Sequence, residues 1–156
     1  MTEPRRIWWA RPRKLCALER PGGGGRSHRP ERRAEEIEYL KEAGVRVVVS
    51  CMPTRHNLAA YEEAGLEWVH VPVDEDEAGT EELLAVLRRE TRKPGAVALH
   101  ANRYTDFIAA VCAVHLARSR GTHTDDSLRA AEAAGLTVTP ESTDLAASCA
   151  HAGVES

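Results

Sequence analysis

Short apolar runs alternate along the chain with longer segments of helical periodicity. The clearest apolar run is Val45 to Ser50, with Val47-Val48-Val49 at its centre, and it predicts a buried strand. Other strands are predicted at Ile7 to Trp9, Leu15 to Leu18, Glu67 to Val73 and Ala96 to His100. Parallel strands reconnect only through a crossover segment, usually a helix. The alternation therefore predicts an α/β fold with a mostly parallel central sheet flanked by helices.

Apolar positions three and four residues apart predict the intervening helices. These are Pro30 to about Ala43, Glu81 to Lys93 with Thr80 as N-cap, Asp106 to Arg120, and Asp125 to Ala134. An Ala-Gly pair before an apolar residue recurs at Gly44, Gly65 and Gly135, and each glycine is predicted to end a helix. The C-terminal tail, residues 137–156, has only weak helical character. The glycine-rich stretch Pro21 to Ser27 lacks the ending of a nucleotide P-loop and is interpreted as a mobile surface loop.

The composition indicates one small domain. A chain of 156 residues is predicted to form a single domain, residues 1–156. Its formal charge of −3 argues against nucleic acid or an anionic membrane as a partner. No apolar run approaches the roughly 18 residues of a membrane span, and four cysteines without a CxxC pair predict reduced thiols and a cytoplasmic location. The histidines lack HxH and HExxH spacing, so no metal site is predicted. No cofactor is expected.

Several sequence stretches have the pattern of a known family. They are Ile7-Trp8-Trp9 with Arg13-Lys14-Leu15-Cys16-Ala17, the segment Glu36 to Ser50, and Trp68 to Asp74. Together with Ala96 to Arg120 they resemble small dual-specificity, protein-tyrosine-phosphatase-like domains of the cysteine-dependent phosphatase superfamily, over about residues 7–136. The resemblance implies the phosphatase-like α/β fold, and in such folds ligands bind at the carboxyl ends of the strands.

The loop that gives this family its chemistry is degenerate here. In the family the last strand ends in HCxxGxxR, in which a cysteine thiolate attacks phosphorus and an arginine at a helix N-terminus binds the phosphoryl oxygens. By the resemblance, Ala101 stands at the nucleophile, Tyr104 at the glycine and Phe107 at the arginine. A loop one residue shorter places Asn102 at the nucleophile, again without a cysteine.

The altered loop still offers polar groups to a ligand. The candidate ligand-binding residues are Ala101, Asn102, Arg103, Tyr104, Thr105 and Phe107. Arg103 beside a helix N-terminus can bind an anion, whereas Asp106 in the first turn is predicted to cap that helix and to repel a phosphate. His100 corresponds to a histidine that orders the loop in the family, and a repurposed enzyme can use it as a base oriented by Asp74.

Further candidates lie at the rim of the same predicted site. The acidic run Asp74-Glu75-Asp76-Glu77 stands where the family has its general acid, so Asp74 or Asp76 can act as acid or base, although such runs are usually solvated. Cys51 follows the central strand with Arg55 nearby. Arg55 and Arg103 can activate its thiol, but a buried, inert cysteine is the more common case.

Two main hypotheses of function remain open. The first is a pseudophosphatase that binds a small anionic ligand or a protein partner through the loop. The second is a repurposed enzyme in which Asp74, His100, Arg103 and Asp106 catalyse isomerisation, cyclisation, dehydration or hydrolysis of a small organic molecule. A residual phosphatase that uses Cys51 or Asp106 is a lesser alternative.

Overall fold

The computed structural model describes Pro4 and residues 6–24, 28–101 and 104–154. The strands are β1 (Ile7–Arg11), β2 (Leu15–Glu19), β3 (Val45–Ser50), β4 (Glu67–His70) and β5 (Ala96–Ala101). The helices are α1 (Pro30–Glu42), α2 (Leu58–Glu63), α3 (Glu77–Thr91), α4 (Asp106–Arg120), α5 (Thr124–Ala133) and α6 (Pro140–Val154). No helix within these residues is long and apolar enough to cross a membrane.

The strands form one sheet in the order β1-β2-β5-β3-β4. Only β1 runs antiparallel, joined to β2 as a hairpin, and the other pairings are parallel. The predicted α/β fold with a mostly parallel sheet is therefore confirmed. Because parallel strands end at the same edge, β3, β4 and β5 bring their carboxyl ends together.

Two apolar clusters cover the two faces of the sheet. Alternate β3 and β5 residues such as Val47, Val49 and Leu99 pack with the helices α3 to α6, whereas Val48 and Ala98 pack with α1 and α2. This division follows from the two-residue period of a strand. The product is a three-layer domain whose sheet is buried between helices.

The predicted helix ends at glycine are confirmed. Gly44, Gly65 and Gly135 follow α1, α2 and α5, with φ angles of +91°, +83° and +103°. A left-handed residue at this position terminates a helix, and glycine adopts it without a side-chain clash.

The predicted start of α3 is wrong by four residues. The helix begins at Glu77, and its N-cap is Asp76, whose carboxylate accepts a hydrogen bond from the backbone N–H of Gly79 at 2.8 Å. Thr80, the predicted N-cap, is buried inside the helix. Glycine is unfavourable inside helices, so Gly79 weakens the helical pattern of the sequence before Thr80. A Cβ at this position would lie 1.8 Å from the carbonyl oxygen of Asp74. The glycine is required by this close approach of the chain.

The C-terminal segment forms a regular helix where the sequence indicates only weak helical character. Helix α6 packs against α4, and Ala146 and Cys149 are buried in the same apolar cluster as α4. Tertiary packing stabilises helices whose intrinsic propensity is modest, because the buried face contributes more than the backbone preference does.

The described part of the glycine-rich stretch is not a surface loop. Residues 21–24 are buried, and the N–H of Gly22 donates to the Glu36 carboxylate at 2.8 Å. The carbonyl oxygen of Pro21 accepts from the amide of Asn57 at 2.9 Å. The prediction of a mobile loop is therefore wrong for these residues, and Gly25 to Ser27 lie outside the described part of the chain.

Candidate functional site

The carboxyl ends of β3, β4 and β5 meet beside the first turn of α4. Ser50, the last residue of β3, pairs with His70 at the end of β4 and with His100 near the end of β5. Helix α4 begins at Asp106, a few residues after β5 ends at Ala101. We call this region, with the loop from Val71 to Asp76, the strand-end site.

A chain of buried hydrogen bonds fixes His100. Its Nδ1 lies 3.1 Å from the carbonyl oxygen of Ala101, so Nδ1 carries the hydrogen and Nε2 accepts from the Tyr61 hydroxyl at 2.9 Å. The Asn57 amide donates to that hydroxyl oxygen at 3.3 Å, and the Asn57 carbonyl accepts from Nε of Arg20 at 3.2 Å. The side chains of His100, Tyr61, Asn57 and Arg20 each have a hydrogen-bond partner in this network, so the network holds the end of β5 in one arrangement.

This environment determines the charge of His100. The residue is fully buried, and burial lowers the pKa of its imidazole to about 4, with a smaller contribution from the Arg20 guanidinium. The ring is therefore neutral at neutral pH. Both nitrogens are already bonded, to Ala101 and Tyr61, so Asp74 is not the residue that orients the ring.

The candidate loop residues separate into buried and exposed groups. Ala101, Thr105 and Phe107 are buried, and the Phe107 ring, 3 % exposed, belongs to the main apolar cluster. The Thr105 hydroxyl is used inside the fold: it accepts a hydrogen bond from the backbone N–H of Thr137 at 2.8 Å. Tyr104, 66 % exposed, is the one described loop residue that projects into solvent. Asn102 and Arg103 lie outside the described residues.

The first turn of α4 carries a carboxylate. Asp106 is the first helical residue rather than the N-cap, which is Thr105, and its Oδ2 accepts a hydrogen bond from the Thr139 hydroxyl at 3.3 Å. A carboxylate in this position interacts favourably with the positive end of the helix dipole. It also places negative charge where a phosphate would otherwise bind.

Glu75 is the residue of the acidic run that is coupled to this helix end. Partial burial and the nearby Asp106 carboxylate both raise the pKa of its carboxyl group. Asp76 is instead engaged as the N-cap of α3, and Asp74 is exposed. Glu75 is exposed as well, so what distinguishes it from Asp74 is the effect of Asp106 on its pKa.

The cysteine nearest to the site is not activated. The Cys51 thiol lies 3.4 Å from the carbonyl oxygen of His100, and burial, assisted by the Glu75 carboxylate, raises its pKa to about 12. The guanidinium of Arg55 lies over the Trp68 ring, 5.1 Å from its centre. Burial also raises the pKa of Cys112 to about 12, and it raises those of Cys16 and Cys149. All four thiols are protonated at neutral pH.

Sequence reasoning missed four residues of this region: Arg20, Asn57, Tyr61 and Glu75. Arg20 directly follows β2, whose last residue Glu19 pairs with Ala101, so its neighbourhood is visible only from the strand pairing. Asn57 and Tyr61 are distant from His100 in sequence and become its neighbours through the packing of α2. Among the residues that the structure describes, no group of three or more histidine, cysteine or acidic side chains is arranged to hold a metal ion.

Comparison with known proteins identifies the architecture. Human DUSP28 superposes with a TM-score of 0.71 at 21% identity, covering 99% of this chain and 100% of its own. PTPMT1, in a complex with PI(5)P, gives a TM-score of 0.71 at 10% identity, covering 96% of this chain and 97% of its own. The DUF442 protein of Shewanella putrefaciens CN-32 gives a TM-score of 0.67 at 18% identity, with coverage of 96% and 93%.

These likenesses extend over nearly the whole chain but at low identity. No family model matches the sequence, and no curated protein matches it significantly. Structural likeness at such identities defines a fold and not an activity. The chain has the fold of the dual-specificity and protein tyrosine phosphatases.

Proposed function

We propose that this chain is a pseudophosphatase: a phosphatase-fold protein that binds a protein partner at the strand-end site and does not hydrolyse phosphoesters through cysteine. The observation that carries the proposal is Ala101, a methyl group at the end of β5 where the resemblance expects the nucleophile. The segment from Ala101 to Phe107 contains no cysteine.

The remaining cysteines support the loss of phosphatase chemistry. A thiolate is the attacking species in cysteine-dependent phosphoryl transfer. Cys51 is the cysteine nearest to the loop, and its thiol has a pKa of about 12 and is directed at a backbone carbonyl. Less than about one in 10,000 such thiols is ionised at pH 7.

The charge of the strand-end site favours a protein partner over a phosphorylated ligand. Asp106 in the first turn of α4 and the nearby Glu75 repel a phosphate dianion; burial first, and the Asp106 carboxylate second, raise the pKa of the Glu75 carboxyl group. The run Asp74 to Glu77 adds exposed carboxylates at the same edge. Tyr104 presents a large aromatic surface of the kind that anchors protein interfaces. A basic peptide segment with an apolar contact for Tyr104 complements this surface.

A second candidate function rests on the pair Glu75 and Asp106. A carboxyl group whose pKa is raised by burial and by a second, nearby acidic side chain can provide one partner of a general acid and general base pair. This arrangement supports the repurposed acid–base enzyme, with Glu75 and Asp106 in the roles assigned from sequence to Asp74 and His100. The buried, fully bonded ring of His100 is less suited to proton transfer with a substrate.

Binding to peptides tests the proposal. We expect lysine- and arginine-rich peptides to bind more tightly than acidic or phosphorylated ones in a fluorescence polarisation assay, and we expect Glu75→Gln and Tyr104→Ala to weaken binding by about threefold to tenfold. Glu82→Gln, a matched change at an exposed position of α3, is the control. Preferential binding of phosphopeptides that is strengthened by Asp106→Asn would contradict the protein-partner proposal.

A turnover assay tests the absence of cysteine chemistry. We expect no hydrolysis of an aryl phosphate above the background of Cys51→Ser protein. Turnover that is lost in Cys51→Ser would instead establish a residual phosphatase. Non-phosphate turnover of a small molecule that depends on Glu75 and Asp106 would establish the repurposed enzyme.

A further inference from the structure

A cavity lies at the end of the sheet opposite the strand-end site, between the last turns of α3 and α4 and the end of β1. Its volume is about 390 Å³. Four arginines line it, Arg11 from β1, Arg88 and Arg92 from the region of α3, and Arg118 from α4. His115 and Leu84 also line it. We call it the arginine cavity.

The positive charge of this cavity is mostly not neutralised. Arg118 pairs with Glu81, at 3.0 Å between Nη1 and Oε2, and it also donates to the carbonyl oxygen of Cys149. Within the described residues, no carboxylate lies within ion-pair distance of Arg11, Arg88 or Arg92, although Arg88 acts at longer range on Glu81 and helps to lower the pKa of that carboxyl group. The guanidinium of Arg120 adds to the field, since burial and Arg120 together lower the pKa of Arg11.

Buried donors at the cavity have no partner within the described part of the chain. Nε of Arg11, Nε of Arg118 and Nε2 of His115 are all inaccessible to solvent and make no hydrogen bond. His115 is only 6 % exposed. Burial, Arg11, Arg120 and Arg88, in that order, lower the pKa of its imidazole to about 4, so the ring is neutral. Leaving such groups unsatisfied is unfavourable, and an anion would relieve both the desolvation and the mutual repulsion.

Helix dipoles alone do not account for this cluster. Basic residues are common in last helical turns, where they interact with the partial negative charge, and this explains Arg88 and Arg118. It does not explain Arg11, which comes from a strand, or the unpartnered nitrogen of His115, which lies in a wall of the same cavity.

We propose that the arginine cavity binds a small phosphorylated molecule, whose phosphoryl oxygens are held by the guanidinium groups of Arg11, Arg88 and Arg92. Planar guanidinium groups bind phosphate oxygens through paired hydrogen bonds. The neutral His115 ring, with its hydrogen on Nε2, can donate a further hydrogen bond and adds no buried positive charge. Leu84 offers an apolar contact to a short organic group, and the volume is in the range of small-molecule sites.

This site is separate from the strand-end site. The two lie at opposite ends of α4, whose 15 residues span about 22 Å at 1.5 Å per residue. The proposal therefore does not rest on the proposed function, and substitutions at one site leave the other intact.

Calorimetric titration of the full chain with pyrophosphate, inorganic phosphate and glycerol phosphate tests the proposal. We expect pyrophosphate to bind with a dissociation constant below about 1 mM, and Arg11→Gln and Arg88→Gln each to weaken binding by about tenfold. The matched control is Arg89→Gln, which removes the same charge from the neighbouring position of α3 outside the cavity. Tighter binding of glycerol phosphate than of inorganic phosphate would assign a role to the apolar wall.

A second measurement locates the bound anion. In proton–nitrogen spectra of the histidine rings, assigned with His115→Gln, we expect pyrophosphate to shift the His115 signals and to raise its pKa from about 4. Signals of His100 at the other site are expected to stay unchanged. Absence of pyrophosphate binding at millimolar concentration overturns the proposal, as does binding that Arg89→Gln weakens as much as Arg88→Gln does.

Discussion

The Tyr61 hydroxyl donates its hydrogen to Nε2 of His100 across 2.9 Å, and the two rings meet edge to face with centroids 5.8 Å apart. This contact joins α2 to the end of β5. Through the opposite nitrogen of the same ring, it fixes the carbonyl of Ala101, from which the candidate loop starts. The contact thus orders the strand-end site although neither residue is exposed to a ligand.

We expect Tyr61→Phe to lower the free energy of unfolding by about 1–3 kcal/mol, because the variant leaves Nε2 of His100 and an amide hydrogen of Asn57 buried without a partner. Urea denaturation measures the change. Tyr39→Phe removes the same atom from a half-buried ring on α1 and is expected to have a smaller effect. Equal effects of the two substitutions would show that the hydrogen-bond chain contributes nothing.

Stability is expected to fall as the pH is lowered from 7.5 to 5. The pKa of His100 is about 4 in the folded chain and near 6.5 when unfolded, so the unfolded state binds more protons in this window and stability rises with pH. His100 alone is expected to contribute on the order of 2 kcal/mol of this change. Urea unfolding at several pH values measures it, and a His100→Gln variant that keeps the full pH dependence would contradict the assignment.

The pair Phe107→Arg and Tyr104→Arg distinguishes a buried ring from an exposed one in the same loop. Phe107→Arg places an unpaired charge in the apolar cluster and is expected to cost more than about 3 kcal/mol or to prevent folding. Tyr104→Arg is expected to change stability by less than about 1 kcal/mol. Circular dichroism melting compares the variants. A stable Phe107→Arg protein would place this ring outside the core.

The four thiols are expected to react slowly with a disulfide reagent at pH 7 and fully in denaturant. Burial raises the pKa of each thiol, to about 12 for Cys51 and Cys112, so the reactive thiolate is scarce in the folded state. The absorbance of released thiolate measures both rates. Rapid labelling of Cys51 in the native protein, absent in Cys51→Ser, would restore the residual-phosphatase alternative.

Asp76→Ala is expected to destabilise the chain by about 1 kcal/mol, because Asp76 caps the N–H of Gly79 at the start of α3. Asp74→Ala is the control, since Asp74 is exposed and the substitution keeps the backbone carbonyl that lies close to Gly79. Thermal denaturation compares the two. A larger loss of stability in Asp74→Ala than in Asp76→Ala would show that Asp76 is not the stabilising N-cap.

Local sequence patterns predicted most elements of the fold, because strand alternation, helix periodicity and terminating glycines depend only on residues that are close in sequence. Helix α4 has the predicted bounds, Asp106 to Arg120. The two errors have different causes. The start of α3 depends on a local backbone approach, of Asp74 to Gly79, whereas α6 depends on long-range packing against α4.

The sequence by itself determined the α/β fold and the absence of cysteine from the loop after β5, since both depend on the order of residues along the chain. Only the tertiary structure decided which groups surround that loop. Tyr61 and Glu75 reach it through the packing of separate elements, and Phe107 turns into the core. The arginine cavity has the same origin: Arg11, Arg88 and His115 are far apart in sequence, and folding concentrates their charges and unpaired nitrogens in one place.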